Sequence, residues 1–205
     1  TDQSPKNGYS DMPRAKDAVC NWHGDDAAHS GTNGADGADG YPGNKGSDAP
    51  YCGDVLFEVG EVIGDIEVTC YGGKGGNGGK GGRGQDGQNG QDGGNGKGCE
   101  DDKPGGKGGD GGNGGPGGDG GCGSNGPDLI VKYFSDSYPS LIGHCNAGQG
   151  GSGGPGGDGG SYGLGGKKGG DGVRAQSGNM GQPGLAGQTG SPGTDSGDVI
   201  FIRVT

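Results

Sequence analysis

Six cysteines, three histidines and a long series of Asp-Gly pairs are the residues here whose types and spacing could do chemistry. The cysteines are Cys20, Cys52, Cys70, Cys99, Cys122 and Cys145. No C-x-x-C pair occurs, so they fit a disulfide framework better than a zinc site. Cys20 and Cys52 flank the first glycine-rich stretch and are expected to pair. Cys70 and Cys122 would close the second stretch in the same way. Cys99 and Cys145 are then left over, at the far turn of one stretch and the base of another, and would meet only between subunits, head to tail.

The other candidate sites read as structural. Runs such as GGDGGNGGPGGDGG suggest calcium, but a calcium β-roll needs an apolar residue two places after its Asp, and Gly stands there instead. These Asp side chains read as a solvated ridge. Glu100, Asp101 and Asp102 form an acidic turn, His23, His29 and His144 are scattered, and Trp22 reads as a packing plug. No Ser/His/Asp constellation or phosphate loop emerges. The many GxGxxG matches are by-products of a triplet repeat, with no strand–turn–helix around them. The expectation is a protein that is not an enzyme, with no catalytic residue, no cofactor and no metal.

Composition sets what can hold such a chain together. Gly supplies 63 of 205 residues and hydrophobic residues only 24%, where an ordinary domain is near half apolar. Only a small core can form. Low hydrophobicity with a net charge of −11 would signal disorder, except that the glycines are periodic and cysteines are present. The acidic balance argues against a nucleic-acid partner. No apolar run is long enough for a transmembrane helix. Disulfides persist in oxidising compartments, so the expected location is extracellular, with a mature chain starting at Thr1.

Gly recurs every third residue in five blocks: Gly31 to Gly46, Gly72 to Gly96, Gly105 to Gly126, Gly148 to Gly172 and Gly178 to Gly193. Period three belongs to polyproline II, not to helix or strand. The apolar runs between the blocks (54–59, 61–69, 127–134, 138–144 and 198–205) are β-branched or aromatic and read as strands. EVT-Cys70-YGG aligns with IGH-Cys145-NAG, and more loosely with DAV-Cys20-NWHG; each excursion ends in Asp54-VLFEV, Asp128-LIVKYF or Asp198-VIFIRV. This implies three modules, 14–59, 62–134 and 140–204, each a strand, two glycine-rich arms and a strand. The switch from GGx to GQx near Gly84 marks a place for an arm to break into shorter helices.

Polyproline II has no internal hydrogen bonds, so its amides must find a neighbour or water. A bare glycine face lets a neighbouring backbone approach. The packing glycines are then Gly72, Gly75, Gly78, Gly81, Gly108, Gly111, Gly114, Gly117, Gly151, Gly154 and Gly157. GGx stretches have two bare faces and suit central arms; blocks one and five suit the rim. The pattern resembles the glycine-rich antifreeze proteins of springtails, which are disulfide-stapled bundles of short polyproline II helices, and also collagen triplets and the glycine-rich tips of some phage adhesins.

The fold expected is a polyproline II helix bundle with a small antiparallel β layer of five or six strands and no α-helix. The function expected is structural: a self-associating subunit of a fibre, coat or matrix. An adhesive or binding module, and an ice-binding protein, are the alternatives. Ice binding needs a flat face of small, weakly polar groups, whereas Lys, Asn, Asp and Arg stand at the third positions.

Overall fold

Glycine-rich triplets cannot bury enough side chain to drive folding, so the backbone itself must supply the contacts, and this arrangement is seen in the computed structural model. It describes residue 4 and residues 9–134, 136, 138–170 and 172–204. No helix occurs among the described residues. Two units divide the chain: Thr1–Gly43 with Lys80–Gly117 and Pro155–Ala186, and Asn44–Gly79 with Gly118–Gly154 and Gly187–Thr205.

In the first unit, five glycine-rich stretches obey one bonding rule. Each after the first donates every third amide to the stretch before it, antiparallel. Gly82 and Gly94 donate to Tyr41 and His29, Gly115 and Gly106 to Gly82 and Gln91, Gly157 and Gly166 to Gly115 and Gly106, and Gly184 and Gly178 to Gly157 and Gly163. Each of the first three also donates to the stretch two further on, in parallel: Gly37 to Asp110, Gly84 to Asp158, Gly111 to Asn179. The GQx triplets do not break the second stretch. Gln85, Gln88 and Gln91 keep their backbone bonds to Ala38, Ala35 and Thr32 at 2.8–2.9 Å.

The second unit repeats the rule, with Gly118 donating to Gly79, Gly154 to Gly118, Gly187 to Gly154, and Gly46, Gly78 and Gly120 to Asp119, Ser152 and Gln188. It also holds the strands β1 (Val55–Glu61), β2 (Ile66–Tyr71), β3 (Leu129–Phe134), β4 (Leu141–Asn146) and β5 (Val199–Arg203). They form a three-stranded sheet, β1-β3-β5, and a two-stranded sheet, β2-β4. Every pairing is parallel, which corrects the antiparallel layer expected from short apolar runs. The reason is the number of reversals. Between β1 and β3 the chain turns once into β2 and once between two antiparallel glycine stretches, so β3 enters in the direction of β1. The glycine stretches serve as the long crossover that parallel strands need.

The apolar core lies between the sheets. Leu129, Val131 and Cys145 are buried, with Val59, Val68, Cys70, Val199 and Phe201 packed against them. Gly143 in β4 is glycine because the Val199 side chain occupies the place where its Cβ would stand. Gly64, between β1 and β2, has φ 96°, a conformation that L side chains rarely adopt.

Candidate functional site

The glycine ladder is the most extensively built feature of both units. A Cβ placed on Gly72, Gly75, Gly78, Gly81, Gly108, Gly111, Gly114, Gly151, Gly154 or Gly157 would fall well inside the 3.0 Å that real Cβ atoms respect, against a backbone carbonyl of a neighbouring stretch. Gly117 donates its amide to the Leu185 carbonyl at 2.8 Å. None of these glycines has positive φ. The ten that meet a carbonyl are glycine for want of room, not for backbone freedom. Burial follows the triplet: in 150–160 every third residue (Gly151, Gly154, Gly157, Gly160) is buried, the preceding glycine half-buried and the other residue exposed. In 181–193 only one residue per triplet is sheltered.

The third-position side chains are more than a solvated ridge. Asp and Asn there accept the amide of the residue beside them on the parallel stretch. In the first unit Asp36 takes the amide of Asp110 at 2.8 Å and Asp110 that of Asn179 at 2.6 Å. Asn89 and Asp92 take those of Leu164 and Lys167. In the second unit Asp48 takes that of Cys122 and Asn77 that of Ser152. These short acceptors pair amides that the glycine contacts leave over. Because only the Oδ acceptor is used, Asp110→Asn should be nearly neutral, whereas Asp110→Ala should cost about 1 kcal/mol, measured by urea denaturation.

The glutamines bridge a gap in the first unit. Thr32, Ala35 and Ala38 donate their amides to the side-chain oxygens of Gln91, Gln88 and Gln85. The Nε2 groups of Gln91 and Gln88 reach on to the carbonyls of Pro13 and Ser10. Gln91 and Gln88 thus each link the backbone at 32–35 to that at 10–13 through one side-chain amide.

Cysteine placement corrects the expected pairings. Cys20 bonds to Cys99, with Cα atoms 5.8 Å apart, and Cys70 bonds to Cys145, with Cα atoms 4.5 Å apart. Cys52 and Cys122 are free and exposed. Neither Cys20–Cys52 nor Cys70–Cys122 forms, and Cys99 and Cys145 are not left for a link between subunits. Parallel stacking is the reason for the second pair: Cys70 and Cys145 are direct register partners of β2 and β4. Two disulfides fit an oxidising compartment. Titration of the unfolded, unreduced chain should find two thiols, at Cys52 and Cys122.

Other candidates resolve into structure. Trp22 is 89% exposed, not a plug, with its ring against His23. Glu100 accepts the Ala28 amide and pairs with Lys103 at 2.9 Å, and Asp102 accepts the Gly96 amide. No group of three or more His, Cys, Asp or Glu suited to a metal occurs among the described residues, and no helix there is long and apolar enough to cross a membrane.

Three carboxyls are held below their ordinary range. The Asn95 amide does this for Asp17, the Cys122 amide for Asp48, and Lys103 with the Ala28 amide for Glu100. A depressed folded pKa contributes stability that is present above the unfolded value, here 3.8 for Asp and 4.5 for Glu, and is lost as pH falls through the folded one. Thermal stability should therefore change little on lowering pH to about 5 and decline below about 4; a melting series in matched ionic strength measures it.

No family model matches this sequence, and no curated protein is significantly similar to it. A solved structure with some likeness is the nine polyproline type II helical bundle springtail antifreeze protein from Granisotoma rainieri, whose crystal waters match the ice lattice. Identity is 26%, the match covers 80% of this chain and 94% of that one, and the TM-score is 0.10. A score that low does not establish a shared fold.

Proposed function

We propose that this protein is an extracellular structural protein, a subunit of a fibre, coat or matrix built by packing glycine-rich polyproline II helices. The observation that carries this reading is the bonding rule: every third amide of one stretch goes to the backbone of another, and none of the stretches forms helix or strand. Period three without internal bonds is the signature of polyproline II. A rule that relates each stretch to those one before and two after has no built-in end, as in other stacked-repeat proteins. The three modules 14–59, 62–134 and 140–204 are its repeating units in this reading. Support comes from the register, which pairs Val55 with Leu129, Leu129 with Val199, and Cys70 with Cys145.

The experiment is electron microscopy of purified, oxidised protein over a concentration series, with far-UV circular dichroism alongside. Assemblies much larger than the 19.7 kDa chain, with a polyproline II spectrum that melts cooperatively, are expected. A monodisperse monomer at every concentration would remove the subunit reading, and a flat, non-cooperative thermal drift would remove the packed-arm reading.

A further inference from the structure

We propose that copies of this chain join head to tail by continuing the three-stranded sheet: the outer edge of β5 in one copy pairs, parallel and in register, with the outer edge of β1 in the next. This rests on the structural-subunit reading and names its contact.

The sheet is a stack of equivalent strands displaced by one constant step. The Val55 amide donates to the Asp128 carbonyl and the Leu129 amide to the Asp198 carbonyl, both at 2.8 Å. In the second step the Asp128 side chain also accepts the Asp198 amide, at 2.9 Å. A third identical step would carry the Val199 amide to the carbonyl of an Asp54, which a second copy of this chain offers in sequence with the rest of β1.

Edge chemistry is complementary. Val55 turns its amide towards β3, so by alternation Leu56 and Glu58 turn theirs outward. Val204 donates to the Tyr133 carbonyl, which sets the even residues of β5 towards β3 and turns Val199 and Phe201 outward. Natural edges are blunted by proline, inward charge or a bulge. Neither VLFEVGE nor VIFIR contains proline, and the irregularity in β1 comes only after Glu58.

Side chains on both faces extend the same rows. Leu56, Ile130 and Ile200 are register partners on the face away from the core, with Leu56 54% and Ile200 50% exposed. Phe57, Val131 and Phe201 are register partners on the core side, where Phe57 is 52% exposed. Parallel sheets are ordinarily buried, and these rows are interrupted only at β1 and β5. Stacking sets Leu56 of the next copy beside Ile200 and its Phe57 beside Phe201. The two surfaces differ and lie on opposite sides of the sheet, so the contact is heterologous and propagates.

The test uses charge at the new contact. Within one chain, positions 56 and 200 are two strand spacings apart, about 10 Å; across the junction they are one spacing apart, about 5 Å. Like charges directly opposite repel and opposite charges attract. Light scattering and electron microscopy would compare the full-length protein with Leu56→Glu/Ile200→Glu and Leu56→Lys/Ile200→Glu, peptide mapping of Cys70–Cys145 confirming that each folds. The native protein should form elongated particles with an axial step of three strands, about 14 Å. The Glu/Glu protein should lose every particle larger than a monomer, and the Lys/Glu protein should regain them. Glu/Glu assembling like the native chain, or Lys/Glu staying monomeric, would overturn this contact while leaving the subunit reading in place. Native protein that never assembles would remove both.

Discussion

Replacing Gly78 by Ala is expected to destabilise the fold by about 2–3 kcal/mol, the upper range for overpacking a filled site, while Asn77→Ala next to it costs about 1 kcal/mol. The difference is in what yields. The new methyl at position 78 meets the backbone oxygen of Gly118, and that carbonyl belongs to a stretch held in turn by bonds from Gly154 and to Gly79. No side chain can rotate away; two backbones must separate, and the bond from the Gly78 amide to Ser152 lengthens with them. Asn77 loses only its acceptor for the exposed Ser152 amide, which water can replace. Urea denaturation of both variants measures the gap. Equal, small losses at the two sites would show that the stretches do not pack as backbone on backbone.

The same contrast explains what could be read from the sequence. Within the five blocks, period three marked the glycines that face a carbonyl, because steric exclusion at a bare face leaves a mark in composition; Gly197, against the Pro127 carbonyl, lies outside them. Strand positions were legible for a similar reason: Val55, Leu129 and Val199 open β-branched runs after an Asp. Strand direction was not legible, since it depends on counting chain reversals, and no residue type records that count. Cys70 and Cys145 align as equivalent, but equivalence alone equally fits separate modules each closed on itself. In a parallel stack, equivalent residues are neighbours, so alignment of the two cysteines was already the signal for their bond. The Asx acceptors were hidden differently. Asp110 and Asn77 look like solvated side chains until the spacing to their partners is known. That spacing, 69 residues from Asp110 to Asn179 and 75 from Asn77 to Ser152, approximates the module length. Gln85, Gln88 and Gln91 signalled a change of neighbour rather than a break in the stretch.

Removing Cys70–Cys145 by a double Ala substitution should cost more than removing Cys20–Cys99 in the same way, although loop-closure entropy alone makes them nearly equal. The bonded residues are 75 and 79 apart, and loops of that length are each worth about 4 kcal/mol in the chain-entropy account. Surroundings separate them. Cys145 is 3% exposed, in the core with Leu129 and Val131, so its loss also removes packed sulfur and leaves a void, adding about 1 kcal/mol or more. Cys20 and Cys99 are both exposed, beside the turn where Lys97 and Gly98 have positive φ, and their loss leaves no cavity. With so little apolar core elsewhere, the Cys70→Ala/Cys145→Ala protein should be largely unfolded at room temperature. The Cys20→Ala/Cys99→Ala protein should fold with a lowered melting point. Circular dichroism melts of the two double variants, with Cys52 and Cys122 alkylated in each to prevent exchange, make the comparison. Equal losses would assign the whole effect to chain entropy. A larger loss for the Cys20–Cys99 variant would show that the tie at this turn, not the core between the sheets, limits the stability of the chain.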